Sequence, residues 1–443
     1  MPTLTAGGPR GPWLVPPPWL IPPRGSSRPR GSSRPLSRAY RRRATVRAAV
    51  ALLLCGAVVP ACASSSEHKP GGAESAAARE SALKASAAAK RKAEKKAEQA
   101  RLLPGMPPPL DPHDLYAADR PGMLSRTVKD YPSRVYVPNT LSDTVSVIDP
   151  KKFKVIRTIQ VGHQPQHVVP SWDLKTLWVN NDLGNSLTPI NPANGRVGRP
   201  VAVHDPYNLY FTPDGKYAVV MASKDRELVF RDAHSMKVVK SVPTNCYGVN
   251  HTDFSPDGRY FIVSCEFSGE LLKVDTARKK VVAKQRLPIA GAMPQDVKIS
   301  PNGKTWYIAD MVANGLWVLN GDTFGKPRLL PTGKGTHGLY VSRDSRSMYV
   351  SNRGEGTISV LSFKTGKVTR KWRLPGGGSP DMGGVSDDGK VLWLSGRYNA
   401  EVYAIDTHSG RLRARIPVGG GPHGLAVYPQ PGRYSLGHTG IFR

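Results

Sequence analysis

A turn marker that recurs along the last two thirds of the chain constrains the fold more than any other feature of the sequence. It reads SWDLK, TPDGK, SPDGR, SPNGK, SRDSR, SDDGK and, in degenerate form, YPQPGR, beginning at residues 171, 212, 255, 300, 342, 386 and 428. Successive copies are 41, 43, 45, 42, 44 and 42 residues apart. A period of this length, filled with short β-rich segments, predicts a propeller with one four-stranded blade per repeat.

A second marker gives the same register. The strand before each outer turn ends in a side chain that starts turns by bonding to its own backbone. These residues are Asp149, Asn191, Asp232, Asp275, Asn320, Ser362 and Asp406. One four-stranded blade cannot bury both of its faces, so seven blades must stack around a ring. We therefore predict an all-β fold, a seven-bladed β-propeller of four-stranded antiparallel blades.

The sequence divides into three predicted parts. Residues 1–62 are a basic, Pro- and Ser-rich leader that ends in a signal segment, residues 63–112 are an Ala/Lys/Glu-rich linker, and residues 113–443 are the propeller. The leader is expected to be disordered over residues 1–40, because it has little to bury. Between Ala73 and Leu103 the linker favours a helix that is polar all round, which predicts a solvated spacer.

The apolar run AAVALLLCGAVVPA, residues 48–61, follows a cluster of arginines and is too short to span a bilayer. Basic residues, a short apolar core and small residues describe an export signal. The run ends in VPAC, which resembles a bacterial lipobox and predicts that Cys62 is lipidated. The expected location is extracytoplasmic and anchored to the cell membrane; the alternative is a secreted protein cut near Ala63.

The formal net charge is +30, of which residues 1–62 carry +10, residues 63–133 carry +3 and the repeats carry +17. A basic surface favours anionic partners. An exported chain does not meet nucleic acid, so we expect a small ligand, an envelope protein or an anionic envelope polymer as the partner. We also expect a monomer.

The strand pairs carry a family resemblance. YVPN, WVNN and YVSN stand at residues 136, 178 and 349, followed by TVSVID, SLTPIN and TISVLS. These residues resemble the YVTN-type β-propeller family, and the later half is similar to exported actinobacterial members. The resemblance implies seven blades outside the cytoplasm and does not imply one activity.

Candidate site residues follow from the repeat register. Each innermost strand is expected to start four or five residues before its turn marker. In a propeller these strand starts surround one end of the central channel, which we call the mouth. Loops that reach the same face add further charged residues. The predicted ligand-binding residues of this mouth are His167, His251, Glu266, Asp296, His337, Arg353, Asp381, Arg397 and His423. The alternative is that polar strand ends merely cap the channel with water.

Function is less constrained than fold. The sequence contains no HExxH, EF-hand, GxSxG or phosphate-loop motif. We therefore favour a binding or scaffold protein over an enzyme and assign no catalytic residue. We also expect neither a metal nor a cofactor, although histidine and carboxylate side chains together are a donor set that binds metals. The rival hypothesis is an enzyme, either a lactonase-like hydrolase or a cofactor-dependent oxidoreductase, that uses this His/Asp/Glu/Arg face.

Two further expectations concern cross-links and closure. Cys246 and Cys265 flank one hairpin and should form a disulfide, which exported proteins tolerate. The chain enters the repeats at a second strand and leaves through an innermost strand. One blade should therefore combine residues 424–428 with residues 134–161, and the remaining residues 433–443 should lie over that seam or compete for its edge.

Overall fold

The computed structural model describes residues 76–321, 325–438 and 441–443 and contains seven four-stranded antiparallel sheets, each one blade of a β-propeller. The blade that closes the ring contains β1 (Arg134–Asn139), β2 (Thr144–Asp149), β3 (Lys154–Gln160) and β28 (Ala426–Tyr428). The second blade contains β4 (Pro165–Pro170), β5 (Leu177–Asn181), β6 (Ser186–Ile190) and β7 (Val201–Ala202). The third contains β8 (Asn208–Phe211), β9 (Tyr217–Ala222), β10 (Glu227–Asp232) and β11 (Val238–Pro243).

The other four blades follow in chain order. The fourth contains β12 (Val249–Phe254), β13 (Tyr260–Cys265), β14 (Glu270–Asp275) and β15 (Lys280–Arg286). The fifth contains β16 (Pro294–Ile299), β17 (Thr305–Asp310), β18 (Gly315–Asn320) and β19 (Arg328–Pro331). The sixth contains β20 (Thr336–Val341), β21 (Ser347–Asn352), β22 (Thr357–Ser362) and β23 (Lys367–Arg373), and the seventh contains β24 (Pro380–Val385), β25 (Val391–Gly396), β26 (Glu401–Asp406) and β27 (Leu412–Pro417). The predicted seven-bladed fold is confirmed.

The turn marker has a clear physical role. In the fourth blade the Ser255 hydroxyl donates to Asp257 Oδ1 at 2.6 Å and accepts from the Tyr260 backbone N–H at 3.1 Å, which fixes the reversal between β12 and β13. Gly258 has a φ of +68°, a left-handed conformation that glycine adopts without steric clash because it has no Cβ. The same hydroxyl–carboxylate contact recurs in the copy that begins at Thr212.

Ring closure follows the prediction from strand counting. Strand β28 pairs antiparallel with β1, with Val427 opposite Val135 and Ala426 opposite Tyr136. The last innermost strand therefore completes the blade that the first three strands begin. Joining the two ends in one sheet removes the open edges that the ring would otherwise expose.

The residues after β28 depart from the prediction. We call residues 433–438 and 441–443 the channel segment. Its Leu436 carbonyl accepts from the Phe211 N–H of β8 at 2.9 Å, and Ser435 Oγ donates to Pro170 O of β4 at 3.1 Å. It contacts innermost strands of several blades and its apolar side chains are buried. The expectation holds only for Phe442, which belongs to the apolar cluster of the closing blade, whereas Tyr434, Leu436 and Ile441 belong to the cluster of the third and fourth blades.

The channel segment is held at its end by an ion pair. Arg443 Nη2 donates to Asp253 Oδ1 of β12 at 3.0 Å, and both side chains are almost fully buried. The Arg443 guanidinium also lies over the Tyr116 ring, 4.6 Å from its centroid. Tyr116 donates in turn to Ile299 O at 2.8 Å. This end of the channel is therefore closed by residues from outside the repeats.

Before the propeller, α1 (Ala76–Arg101) is the predicted spacer helix, and a short 3-10 helix covers Ala117–Asp119. From Glu80 onward the described side chains of α1 are exposed, as expected for a helix that is polar all round. In contrast, Leu103 and Leu115 are buried and donate backbone hydrogen bonds to blade turns at Asp257 and Pro301. In the part of the chain that the structure describes, no helix is both long and apolar enough to cross a membrane.

Candidate functional site

Four histidines converge at the mouth formed by the starts of the innermost strands. His167 lies on β4, His251 on β12, His337 on β20, and His423 just before β28; all four are buried. The centroid distances are 5.8 Å from His167 to His251, 6.3 Å from His251 to His337 and 5.9 Å from His337 to His423. The His423 and His167 centroids lie 4.8 Å apart, so the four imidazoles form a closed ring.

A fifth histidine reaches the same cluster from the channel segment. The centroid of His438 lies 4.2 Å from that of His167 and 5.2 Å from that of His251. Sequence reasoning missed His438 because it lies outside the repeats and has no register position. Gly424 makes room for the cluster, since a Cβ on this residue would overlap with the His167 ring.

Asp381 is the central anion of the mouth. Arg353 Nη1 donates to Asp381 Oδ1 at 3.1 Å, and His337 Nδ1 lies 3.1 Å from the same oxygen. His423 Nε2 lies 3.6 Å from Asp381 Oδ2. The structure therefore brings three blades together on one fully buried carboxylate.

Two further predicted residues lie half-buried around this group. Glu266 accepts a hydrogen bond from Asn250 Nδ2 at 2.7 Å. Arg397 Nη1 donates to Thr140 Oγ1 at 2.9 Å and to Gly421 O at 3.0 Å. Among the described residues, Arg397 has no carboxylate within ion-pair distance, so its charge is not neutralised by direct contact.

Burial sets the protonation states of the mouth. It lowers the pKa of His167 to about 3, and it lowers the pKa of His251, His337, His423 and His438 well below the usual histidine range. The imidazoles are therefore neutral at pH 7 and can accept hydrogen bonds or bind a metal. Burial also raises the pKa of Asp381 and Glu266, while nearby arginines oppose the shift.

Several buried polar atoms of the mouth have no hydrogen-bond partner within the described protein. They include His167 Nε2, His251 Nε2, His337 Nδ1, Asp381 Oδ2, His423 Nδ1 and both ring nitrogens of His438. Buried polar atoms in native proteins are nearly always satisfied by protein, water or a ligand. The mouth is thus equipped to hold something other than protein.

Asp296 differs from the other predicted residues. Its Oδ1 accepts from the Val297 N–H and its Oδ2 from the Leu339 N–H, both at 3.0 Å. Both oxygens are therefore used to tie the fifth blade to the sixth, and burial raises the pKa of Asp296 to about 6. We assign it a role in holding blades together and do not place it among the residues that face a ligand.

The remaining predicted residues are cysteines. Cys246 and Cys265 are joined in a disulfide with a Cα–Cα distance of 6.0 Å, the pairing inferred from their positions in one repeat. Cys62 and the signal segment lie outside the described residues.

Fold and mouth together define a seven-bladed β-propeller with a buried histidine and carboxylate cluster at one end of its channel. The chain belongs to the YNCE-like beta-propeller family, whose model matches residues 116–432. No curated protein matches the sequence.

Solved structures show the same fold at low sequence identity. Hydrazine synthase of Kuenenia stuttgartiensis has 19% identity and a TM-score of 0.54, over 64% of this chain and 98% of that chain. A functionally unknown protein from Desulfotomaculum acetoxidans has 17% identity and a TM-score of 0.55, over 65% and 98% of the two chains. The dihydro-heme d1 dehydrogenase NirN has 17% identity and a TM-score of 0.51, over 72% of this chain and 78% of that chain.

Proposed function

We propose that this protein binds a small anionic ligand at the histidine-lined mouth and acts as a binding protein of the cell envelope. The observation that carries the proposal is the set of unpartnered polar atoms beside two arginines, Arg353 and Arg397. A guanidinium can hold a carboxylate or a phosphate through paired hydrogen bonds. Because Arg353 is already paired with Asp381, Arg397 is the cation that meets the ligand.

Charge outside the mouth supports the same partner. The repeats carry a net +17, and a positive surface attracts anions and raises their association rate. A larger anionic envelope polymer would use the same field but would be held by exposed side chains, so its binding should not depend on Arg397.

A thermal-shift titration tests this proposal. Small carboxylates and phosphate are titrated into wild-type protein, Arg397→Gln and the control Arg411→Gln, which removes an exposed arginine from an outer turn. We expect a saturable rise in Tm for at least one anion, a tenfold or greater loss of affinity in Arg397→Gln, and no change in the control. An equal response of all three proteins, or no saturable response, would refute the proposal.

For location, we propose an exported, YVTN-type protein that resembles actinobacterial members and is anchored by lipid on Cys62; the alternative is secretion after cleavage near Ala63. The VPAC motif and the preceding apolar run support the anchor. Cys62→Ser should release the protein into the medium or block its processing. A variant that remains membrane-bound and normally processed would contradict the anchor.

One observation favours a second function, that of an enzyme. His337 Nδ1 lies 3.1 Å from Asp381 Oδ1, and a histidine beside a carboxylate is a recurrent catalytic pair. Two of the similar structures are named as enzymes, a synthase and a dehydrogenase. Turnover of lactones would favour a hydrolase over a binding protein. A redox cofactor bound to protein purified from its host would favour an oxidoreductase. In either case the property should be lost in Asp381→Asn.

A further inference from the structure

We propose that His337, Asp381 and His423 form a binding site for one divalent transition-metal ion such as Zn²⁺. One ligand atom from each residue can be chosen so that all three lie within 4.8 Å of one another. The His337 and His423 side chains are 3% exposed and that of Asp381 is not exposed at all. Within the described residues, this is the cluster of metal-ligating groups that meets this distance.

The donor types select the class of ion. Two imidazoles and one carboxylate suit Zn²⁺, Fe²⁺, Ni²⁺ or Cu²⁺, whereas Mg²⁺ and Ca²⁺ prefer oxygen donors alone. The set comes from three different blades, so the ring holds it in place without dependence on one flexible loop. Because two of its three donors are nitrogens, the site should not prefer Ca²⁺ or Mg²⁺.

The donor distances can be compared with those around a tetrahedral ion. Zinc bonds to nitrogen and oxygen are about 2.0–2.2 Å long, which places neighbouring tetrahedral donors roughly 3.3–3.5 Å apart. His337 Nδ1 lies 3.1 Å from Asp381 Oδ1, and His423 Nε2 lies 3.6 Å from Asp381 Oδ2. The His423 distance, measured to the Asp381 oxygen that carries no hydrogen bond, is already close to that spacing, whereas the complete set with one atom from each residue lies only within 4.8 Å, so the side chains must draw closer together to bind the ion.

The unpartnered atoms point to the same conclusion. His337 Nδ1 and Asp381 Oδ2 are buried and lack a hydrogen-bond partner among the described residues. Leaving such atoms unsatisfied costs free energy that a bound ion would recover. The short His337–Asp381 distance lacks the geometry of a hydrogen bond, which is consistent with two ligands that face a shared ion.

Arg353 has a supporting role beside these donors. It occupies Asp381 Oδ1 at 3.1 Å and leaves Oδ2 free. Metal-ligating carboxylates are commonly oriented by a hydrogen bond from a second group. Arg353 holds the carboxylate in place and, when no metal is bound, is the cation that balances its charge.

The test uses full-length protein that has been treated with a chelator and then titrated with Zn²⁺ in a calorimeter. We expect one tight equivalent, with affinity lowered by at least about 100-fold in His423→Gln and in Asp381→Asn, more than the loss of an outer partner costs. The control is His408→Gln, which alters an exposed side chain in the turn between β26 and β27. This control should bind as the wild type does.

Cobalt provides a second, independent measurement. Co²⁺-loaded wild-type protein should show the visible absorption bands of a four- or five-coordinate ion, and His423→Gln should lose them. If either His423→Gln or Asp381→Asn does not fold, as judged by circular dichroism, the test depends on the other variant and on the Co²⁺ spectrum of the wild type. Absence of a tight equivalent in the wild type, or equal affinity in all folded variants, would overturn the proposal. Anion binding in metal-free protein would then still stand, so the two proposals fail separately.

Discussion

The buried ion pair between Asp253 and Arg443 offers a sharp test of how the channel is closed. Asp253 Oδ1 accepts from Arg443 Nη2 at 3.0 Å and from the Phe254 N–H at 2.7 Å, and Oδ2 accepts from the Ile299 N–H at 3.0 Å. Asp253→Asn removes the charge and places an amide N–H₂ where a hydrogen-bond acceptor is needed. The Arg443 guanidinium is then left buried without its counterion.

The expected cost follows from that burial. Removing one partner of a buried ion pair costs about 3–5 kcal/mol, because the other charge remains desolvated. The side chains of Arg443 and Asp253 are 6% and 0% exposed, so solvent cannot compensate. The double variant Asp253→Asn/Arg443→Met should recover part of the loss, since it leaves no buried charge unpaired.

Guanidinium unfolding followed by tryptophan fluorescence measures the change, and hydrogen exchange of the channel segment reports whether it detaches locally. The control is Asp130→Asn, whose ion pair with Lys129 is solvent-exposed at 4.0 Å and should contribute less than about 1 kcal/mol. A cost under about 1 kcal/mol for Asp253→Asn with unchanged hydrogen exchange, or a double variant less stable than both single variants, would refute the role of this ion pair.

Three other predictions concern the fold. Replacing Cys246 and Cys265 with serine should lower the free energy of unfolding by roughly 3 kcal/mol, since the disulfide closes a loop with a separation of 19 residues; equal denaturation midpoints with and without reductant would contradict this. Deleting residues 421–443 removes β28, and should give insoluble or protease-sensitive protein, so an equally stable truncated protein would place closure elsewhere. Burial raises the pKa of Asp119 to about 7 in the folded protein, above its value of about 3.9 in the unfolded chain. The contribution of protonated Asp119 to the free energy of unfolding is therefore complete below about pH 4 and is lost as the pH rises through about 7. Asp119→Asn should therefore raise Tm relative to the wild type at pH 8, raise it less at about pH 5 and change it little at about pH 4, and the reverse order would refute this assignment.

The repeats explain why so much of the fold could be predicted. Each of the first six turn markers fixes a reversal through local hydrogen bonds such as that of Ser255 to Asp257, so the register can be read from short-range chemistry. Once the register is known, His251 and His337 must occupy equivalent places in their blades. Ring geometry then brings them to one mouth.

The sequence could not place residues outside this register. The positions of His438 and Tyr116 depend on contacts with strands more than 100 residues away, such as the bond from Tyr116 to Ile299. The contacts of Asp296 could not be predicted for a related reason. Its position at a strand start was known, but the backbone N–H groups that occupy its oxygens belong partly to the next blade.

The pairing of β28 with β1 also has a consequence for the order of events in folding. The first three strands of the closing blade are synthesised almost 300 residues before their partner, and they expose an unpaired edge at β1 until residues 426–428 arrive. The intervening blades can form as they emerge, since their strands are adjacent in sequence. The chain therefore passes through an open ring in which one sheet edge, that of β1, is unpaired. A chaperone that protects this edge, or slow release of the chain during synthesis, would act on the first strands of the propeller until the last strand is made.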